Sequence, residues 1–278
     1  MRRIVVGRTL VAIVAAVGLT FLGGVTAEAH GGGGSHGGGG DGHARALTCK
    51  GGEIGSGSYS SITVTGTCSV AKDAVIRVSG DITVRKGAAL DAQSSPSTIT
   101  VGRDVNAARG SMLGLGCQPA ALMGNSAHPC VDAEGNPIED PDVFSTISVK
   151  GNVNVFGASV VLINGITIGK NLTIVGGGSP EIPWSVKNNT IKGNLWTSNL
   201  VTNWYGVLFN KVGKNVTLLD IKLTEDHPEA AGVVYVVQNK IGRNLVCKGL
   251  PGVSGGFVPG AVNTVGGKAL GQCKALAG

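Results

Sequence analysis

One phrase recurs along this chain, and it constrains the fold more than any other feature. Aligned on the residue that follows each turn, the copies are anchored at Asp81, Asp104, Asn152, Asn171, Asn194, Asn215, Asn244 and Lys268. Three places before the anchors stand Val78, Val101, Val149, Ile168, Ile191, Val212, Ile241 and Val265, all β-branched; one place after them come Ile82, Val105, Val153, Leu172, Leu195, Val216, Leu245 and Ala269. Such residues favour a buried strand face. Between the two apolar positions every copy places at least one glycine, as in Gly169-Lys170 and Lys192-Gly193, where the chain can turn a sharp corner. Five places before the anchor the copies divide: Ile76, Ile99, Ile147 and Ile166 in the first four, Asn189, Asn210, Asn239 and Asn263 in the last four.

A unit of this kind cannot fold alone. Each buried aliphatic contributes about 1.5 to 3 kcal/mol, whereas ordering a residue's backbone costs about 1 to 2 kcal/mol. Stacked copies bury a continuous aliphatic column, each strand pairing with the coils about 4.8 Å above and below. The chain is therefore expected to be all-β, a single-stranded parallel β-helix, or β-solenoid, of about 8 to 10 coils. An aromatic content of 4% and 47 glycines suit so thin a core with tight corners. A β-sandwich has no reason to keep residue types at fixed offsets from an Asn, and helical periodicity is nearly absent after the first 29 residues. The step of 48 from Asp104 to Asn152 is two periods, or one period interrupted by an insertion at 111–146 rich in Pro and carrying Cys117 and Cys130.

Residues 1–29 read as a secretory signal peptide: Arg2, Arg3 and Arg8, an apolar run from Thr9 to Val25, and the small-x-small site Ala27-Glu28-Ala29. Residues 30–46 begin with HGGGGSHGGGGDGH and read as a flexible tether, with 47–278 as the solenoid domain. The expected location is outside the cell, secreted or associated with the cell wall. Six cysteines in an exported chain point to disulfides, and their neighbourhoods suggest Cys49 with Cys68, Cys117 with Cys130 and Cys247 with Cys273. Removing residues 1–29 leaves a net charge of (23 − 3) − (17 − 1) = +4. The Lys and Arg residues are scattered through the sequence without interleaved aromatics, which argues against a nucleic-acid partner. After signal cleavage no further apolar stretch calls for membrane insertion.

The rungs resemble those of the right-handed parallel β-helix superfamily, the pectin-lyase-like fold whose members include pectate lyases, polysaccharide-binding proteins and adhesins. NKIGRNLVCKGL at 239–250 followed by NTVGGKALGQC at 263–273 resembles a closing pattern of uncharacterised secreted actinobacterial proteins. The resemblance implies the architecture of about residues 61–273 and assigns no catalytic residue. Sugar-cleaving β-helices mount carboxylates and basic residues on one exposed face, and these rungs carry few.

The corner row Asn152, Asn171, Asn194, Asn215 and Asn244 is expected to be structural, its amides bonding along the coil axis. Asp81 and Asp104 read as its equivalents. The sequons at Asn171 and Asn215 fit the same rule without glycan. Asp132, Glu134, Glu139, Asp140 and Asp142 cluster in the insertion as a solvated acidic loop, without the spacing of a calcium loop. Trp184, Trp196, Trp204 and Tyr205 lie close in sequence, with Phe209 beyond; they would form a platform for a sugar or protein partner, or cover the core where the coils change girth. No metal or cofactor is expected. The reading is a secreted structural or surface-binding solenoid without catalysis, its partner a polysaccharide or cell-surface protein. The alternatives are a polysaccharide lyase or glycoside hydrolase, and a scaffold that self-assembles through an uncovered terminal coil.

Overall fold

The computed structural model describes residues 44–123, 127–224, 232–256 and 262–278. One coil shows how the repeated phrase becomes a rung. Thr167–Ile168 forms a short strand on a first face, Gly169-Lys170-Asn171 turns the corner, and Leu172–Val175 runs along a second face. After a longer connection Trp184–Lys187 crosses a third face, and Thr190–Ile191 begins the next coil. The first and second faces belong to an 18-stranded sheet, and the third is a 9-stranded sheet. Pairing between coils is parallel throughout, so the chain is an all-β parallel solenoid.

Register between coils matches the repeat. Leu172 is opposite Val153 on one side and Leu195 on the other, and Ile168 is opposite Val149 and Ile191. Because strand side chains alternate, this register brings the apolar residues of every coil into one interior column. Ile168, Leu172, Ile174, Ile191 and Leu195 have no exposed surface. Asp104 and Asn152 lie in adjacent coils, since Val105–Ala107 pairs directly with Val153–Val155. The long step is thus one coil plus an insertion.

Two boundaries differ from the expectation. Met112–Leu115 is a third-face strand between Ala89–Ala92 and Val160–Ile163, with Leu113 and Leu115 buried, so the insertion occupies 116–145 rather than 111–146. Arg45–Cys49 is a strand, paired with the one at Gly57–Val64, so a paired strand starts inside the segment 30–46 read as tether. Residues 30–43 and the signal peptide at 1–29 lie outside the described residues.

The three corners use different devices. Leaving the second face, one residue adopts a left-handed conformation in each of five successive coils: Gly157, Gly176, Asn199, Asp220 and Gly249. Leaving the third face, Gly165, Asn188, Phe209 and Gln238 do the same. A bulky residue such as Phe209 at φ 56° is costly there, and it persists because the strands on both sides are locked by the stack. The corner between the first and second faces instead relies on glycine and side-chain amides, described below.

Three disulfides join Cys49 to Cys68, Cys117 to Cys130 and Cys247 to Cys273, the pairs suggested by the cysteine neighbourhoods. They fall at the first coils, at the root of the insertion and at the last coils, where fewer neighbouring strands hold the chain. Beyond the last strand, the turn Gln272–Leu276 folds against the final coils, burying Cys273 and packing Leu276 on the core. Gln272 bonds Leu250 twice, accepting from its N–H at 2.9 Å and donating to its carbonyl at 2.6 Å. The turn thus ties the chain end to Leu250, while the strands at Thr264–Val265 and Ala269–Gly271 pair with the coil before them.

Candidate functional site

The aromatic residues divide between interior and surface. Trp184 and Tyr205 are fully buried and stand opposite each other in adjacent coils. The Trp184 indole N–H donates to the Ser159 carbonyl at 3.2 Å, and the Tyr205 hydroxyl lies 2.7 Å from the Thr197 hydroxyl. Burial raises the Tyr205 pKa, with the Thr197 bond acting weakly the other way. The assignment of Trp184 and Tyr205 to a binding platform is overturned: both share strand parity with Val186 and Val207, which point inward. Trp204 is half-buried, stacked on Tyr235 with ring centroids 5.5 Å apart and lying over Gly206. Trp196 alone of the four is exposed, at 41%, on the second face, its indole N–H donating to the Ser198 hydroxyl at 3.0 Å.

Two amide ladders run along the solenoid. In the outer one, at the corner between the first and second faces, each side-chain oxygen accepts the backbone N–H of the next coil's anchor. Asp104 donates to Asp81, Asn152 to Asp104, Asn171 to Asn152, Asn194 to Asn171, Asn215 to Asn194, Asn244 to Asn215 and Lys268 to Asn244. The two Asp residues therefore act as Asn equivalents at the start of the ladder. Asn171 and Asn215 also spend their Nδ2 groups here, donating to Asn152 and Asn194.

The inner ladder is Asn189, Asn210, Asn239 and Asn263, each 1% exposed or less. Here each oxygen accepts from the preceding coil: Ile166 N–H donates to Asn189, Asn189 to Asn210, Asn210 to Asn239 and Asn239 to Asn263. Each Nδ2 also reaches a third-face carbonyl, of Ile163, Val186, Val207 or Val236. These residues take the place of the Ile column of the earlier coils, each tying its own corner to the third face of the coil before.

The outer corner also carries a feature that sequence reading missed. Cations that look scattered along the chain are gathered into one exposed column: Arg103, Lys150, Lys170, Lys192, Lys214, Arg243 and Lys268. Two corner positions precede each anchor, and a glycine takes one of them. A Cβ on Gly193 would meet the Lys170 carbonyl, and one on Gly213 the Lys192 carbonyl, in the coil before. From Arg103 to Arg243 the other position is always Lys or Arg, so the cations zigzag between two lanes. Lys211 and Lys240 stand opposite each other on the adjoining first face and add to the same edge. Arg103 Nε lies 3.7 Å from Asp81 Oδ1, the one ion pair among the described residues, and it is exposed enough to contribute little. Asp104 bonds Asn152 beside Lys150, and from Asn152 to Asn244 the anchors are neutral Asn, so no carboxylate of the ladder lies among the later cations. The signal was present in the pairs Gly-Lys and Lys-Gly, read for their glycines alone.

The insertion is pinned to the third face. Lys187 Nζ donates to the Ala127 carbonyl at 2.6 Å, Asn164 Nδ2 to the His128 carbonyl at 3.4 Å and Gln118 Nε2 to the Gly165 carbonyl at 3.3 Å. Desolvation lowers Lys187 to about 8; desolvation and then the Lys187 charge lower His128 to about 4. In the acidic loop, Asp132 accepts from the N–H groups of Glu134 and Asn136, and its carboxyl is held below the usual range first by the Asn136 side-chain bond. Among the described residues no three His, Cys, Asp or Glu side chains converge as a metal site, and no helix is long and apolar enough to cross a membrane.

No family model, no curated protein and no solved structure matches this chain.

Proposed function

We propose that the protein is exported and acts without catalysis, as a rigid β-helix that presents its outer faces to a polysaccharide or a cell-surface partner. The polysaccharide-binding and adhesin members of the superfamily its rungs resemble offer the precedent. The observation that carries this reading is the chemistry of the outward columns. On the second face Thr63, Thr83, Asn106, Asn154 and Thr173 stand in register, followed by Trp196. On the first face Thr100, Ser148, Thr167 and Thr190 do so. Short hydroxyl and amide side chains at a fixed spacing hydrogen-bond sugar hydroxyls, and an exposed indole stacks on a sugar ring. Three disulfides fit an oxidising compartment.

The test is co-sedimentation of the mature chain with insoluble polysaccharides and cell-wall material, with reducing ends and unsaturated uronides measured in the supernatant. Binding without product is the expected result. Release of unsaturated oligosaccharides would replace this reading with that of a lyase.

A further inference from the structure

We propose that the basic corner seats a linear polyuronate, an acidic polysaccharide with one carboxylate on every sugar, laid parallel to the solenoid axis. The inference rests on the binding reading above and names the ligand class. Lys150, Lys170, Lys192, Lys214, Arg243 and Lys268 supply one exposed cation per coil along a line of about 24 Å, at a rise of about 4.8 Å per coil. An extended hexuronate chain repeats its carboxylate once per ring, a step close to one rung.

Packing does not call for these charges. The side chains are exposed and repel one another, and among the described residues none of the six makes a side-chain hydrogen bond or ion pair. Ser79 and Gly267 show that other residues fit the same corner. Yet when the stack forces glycine into one lane, a cation takes the other, coil after coil from Arg103 to Arg243. Trp196, two residues past Asn194, places an exposed indole beside the line for a sugar ring.

Nucleic acid fits less well. Duplex DNA presents one charge per about 1.7 Å of axis, and single strands are held by aromatic platforms repeated along a groove, which this corner lacks.

The experiment is calorimetric titration of the mature chain with polygalacturonate and its defined oligomers, with single-stranded DNA and dextran as comparison polymers. Affinity should rise with oligomer length to about six sugars, the number of rungs in a 24 Å line, and then level off. The variant Lys170→Gln/Lys192→Gln/Lys214→Gln should bind roughly 10- to 100-fold more weakly at low salt. Its salt slope should be smaller by about 0.7 per cation removed. The variant Lys72→Gln/Lys86→Gln/Arg109→Gln loses the same net charge from exposed positions on the other two edges and should bind within about twofold of wild type. Should the corner triple fail to fold, Lys192→Gln alone is expected to weaken binding by about two- to fivefold. Equal losses in the two triple variants would overturn the proposal, as would tighter binding to DNA than to polygalacturonate. Binding to dextran alone would overturn it and leave the broader reading standing. Failure to bind any polysaccharide or cell-wall fraction would remove both.

Discussion

Replacing Asn210 by Ala tests whether the buried amides hold the later coils together. The Asn210 oxygen accepts the Asn189 backbone N–H at 3.0 Å and one Asn189 Nδ2 hydrogen at 3.0 Å; its own Nδ2 donates to the Val186 carbonyl at 2.9 Å and to Asn239 Oδ1 at 3.0 Å. After truncation, Asn239 Oδ1 retains the Asn210 backbone N–H and Asn189 Nδ2 retains the Ile163 carbonyl. The Asn189 backbone N–H and one amide hydrogen lose their acceptor in a site closed to water. At about 1 to 3 kcal/mol for each of the two buried donors left unpaired, the loss comes to about 2 to 6 kcal/mol. Asn194→Ala breaks a similar set of bonds at the half-buried corner, where water can replace the amide, and should cost about 1 kcal/mol. Denaturant unfolding followed by circular dichroism, with disulfides intact, measures the difference. Hydrogen exchange at the Asn189 amide reports the same event locally and should accelerate in Asn210→Ala. A loss below about 1 kcal/mol, or one equal to that of Asn194→Ala, would refute the argument that burial gives this ladder its strength.

Two other perturbations bear on stability. Trp184→Ala should lower stability by about 3 to 5 kcal/mol by leaving a cavity in the core, whereas Trp196→Ala on the surface should stay within about 0.5 kcal/mol of wild type; similar melting temperatures for the two would contradict the burial that separates them. The His128 pKa of about 4 lies below its unfolded value of about 6.5, so the neutral imidazole is favoured in the fold, and the stability it confers is complete above pH 6.5 and lost as pH falls towards 4. Thermal melts at pH 7 and 4.5 should therefore show a larger drop for wild type than for His128→Gln, and equal drops would mean that His128 titrates freely.

The coil and its register were legible in the chain because every rung restates them. Val149, Ile168 and Ile191 before the corner, and Val153, Leu172 and Leu195 after it, stand at fixed offsets from an Asn, and strand parity turns those offsets directly into inside and outside. The split from Ile166 to Asn189 was visible too, but not its use, since only the stack shows the Asn189 and Asn210 oxygens accepting from the coil before while their Nδ2 groups reach third-face carbonyls. The aromatics misled for a related reason. Proximity in sequence between Trp184 and Trp196 says nothing about sides of a strand, and the parity that Trp184 shares with Val186 becomes evidence only once the third-face strand is located. The basic corner depended most on the fold. Lys170, Lys192 and Lys214 stand some twenty residues apart and look like diluted charge, whereas parallel stacking at about 4.8 Å turns that separation into adjacency. Local periodicity determined the rung, and the stack decided which of its surface residues become neighbours.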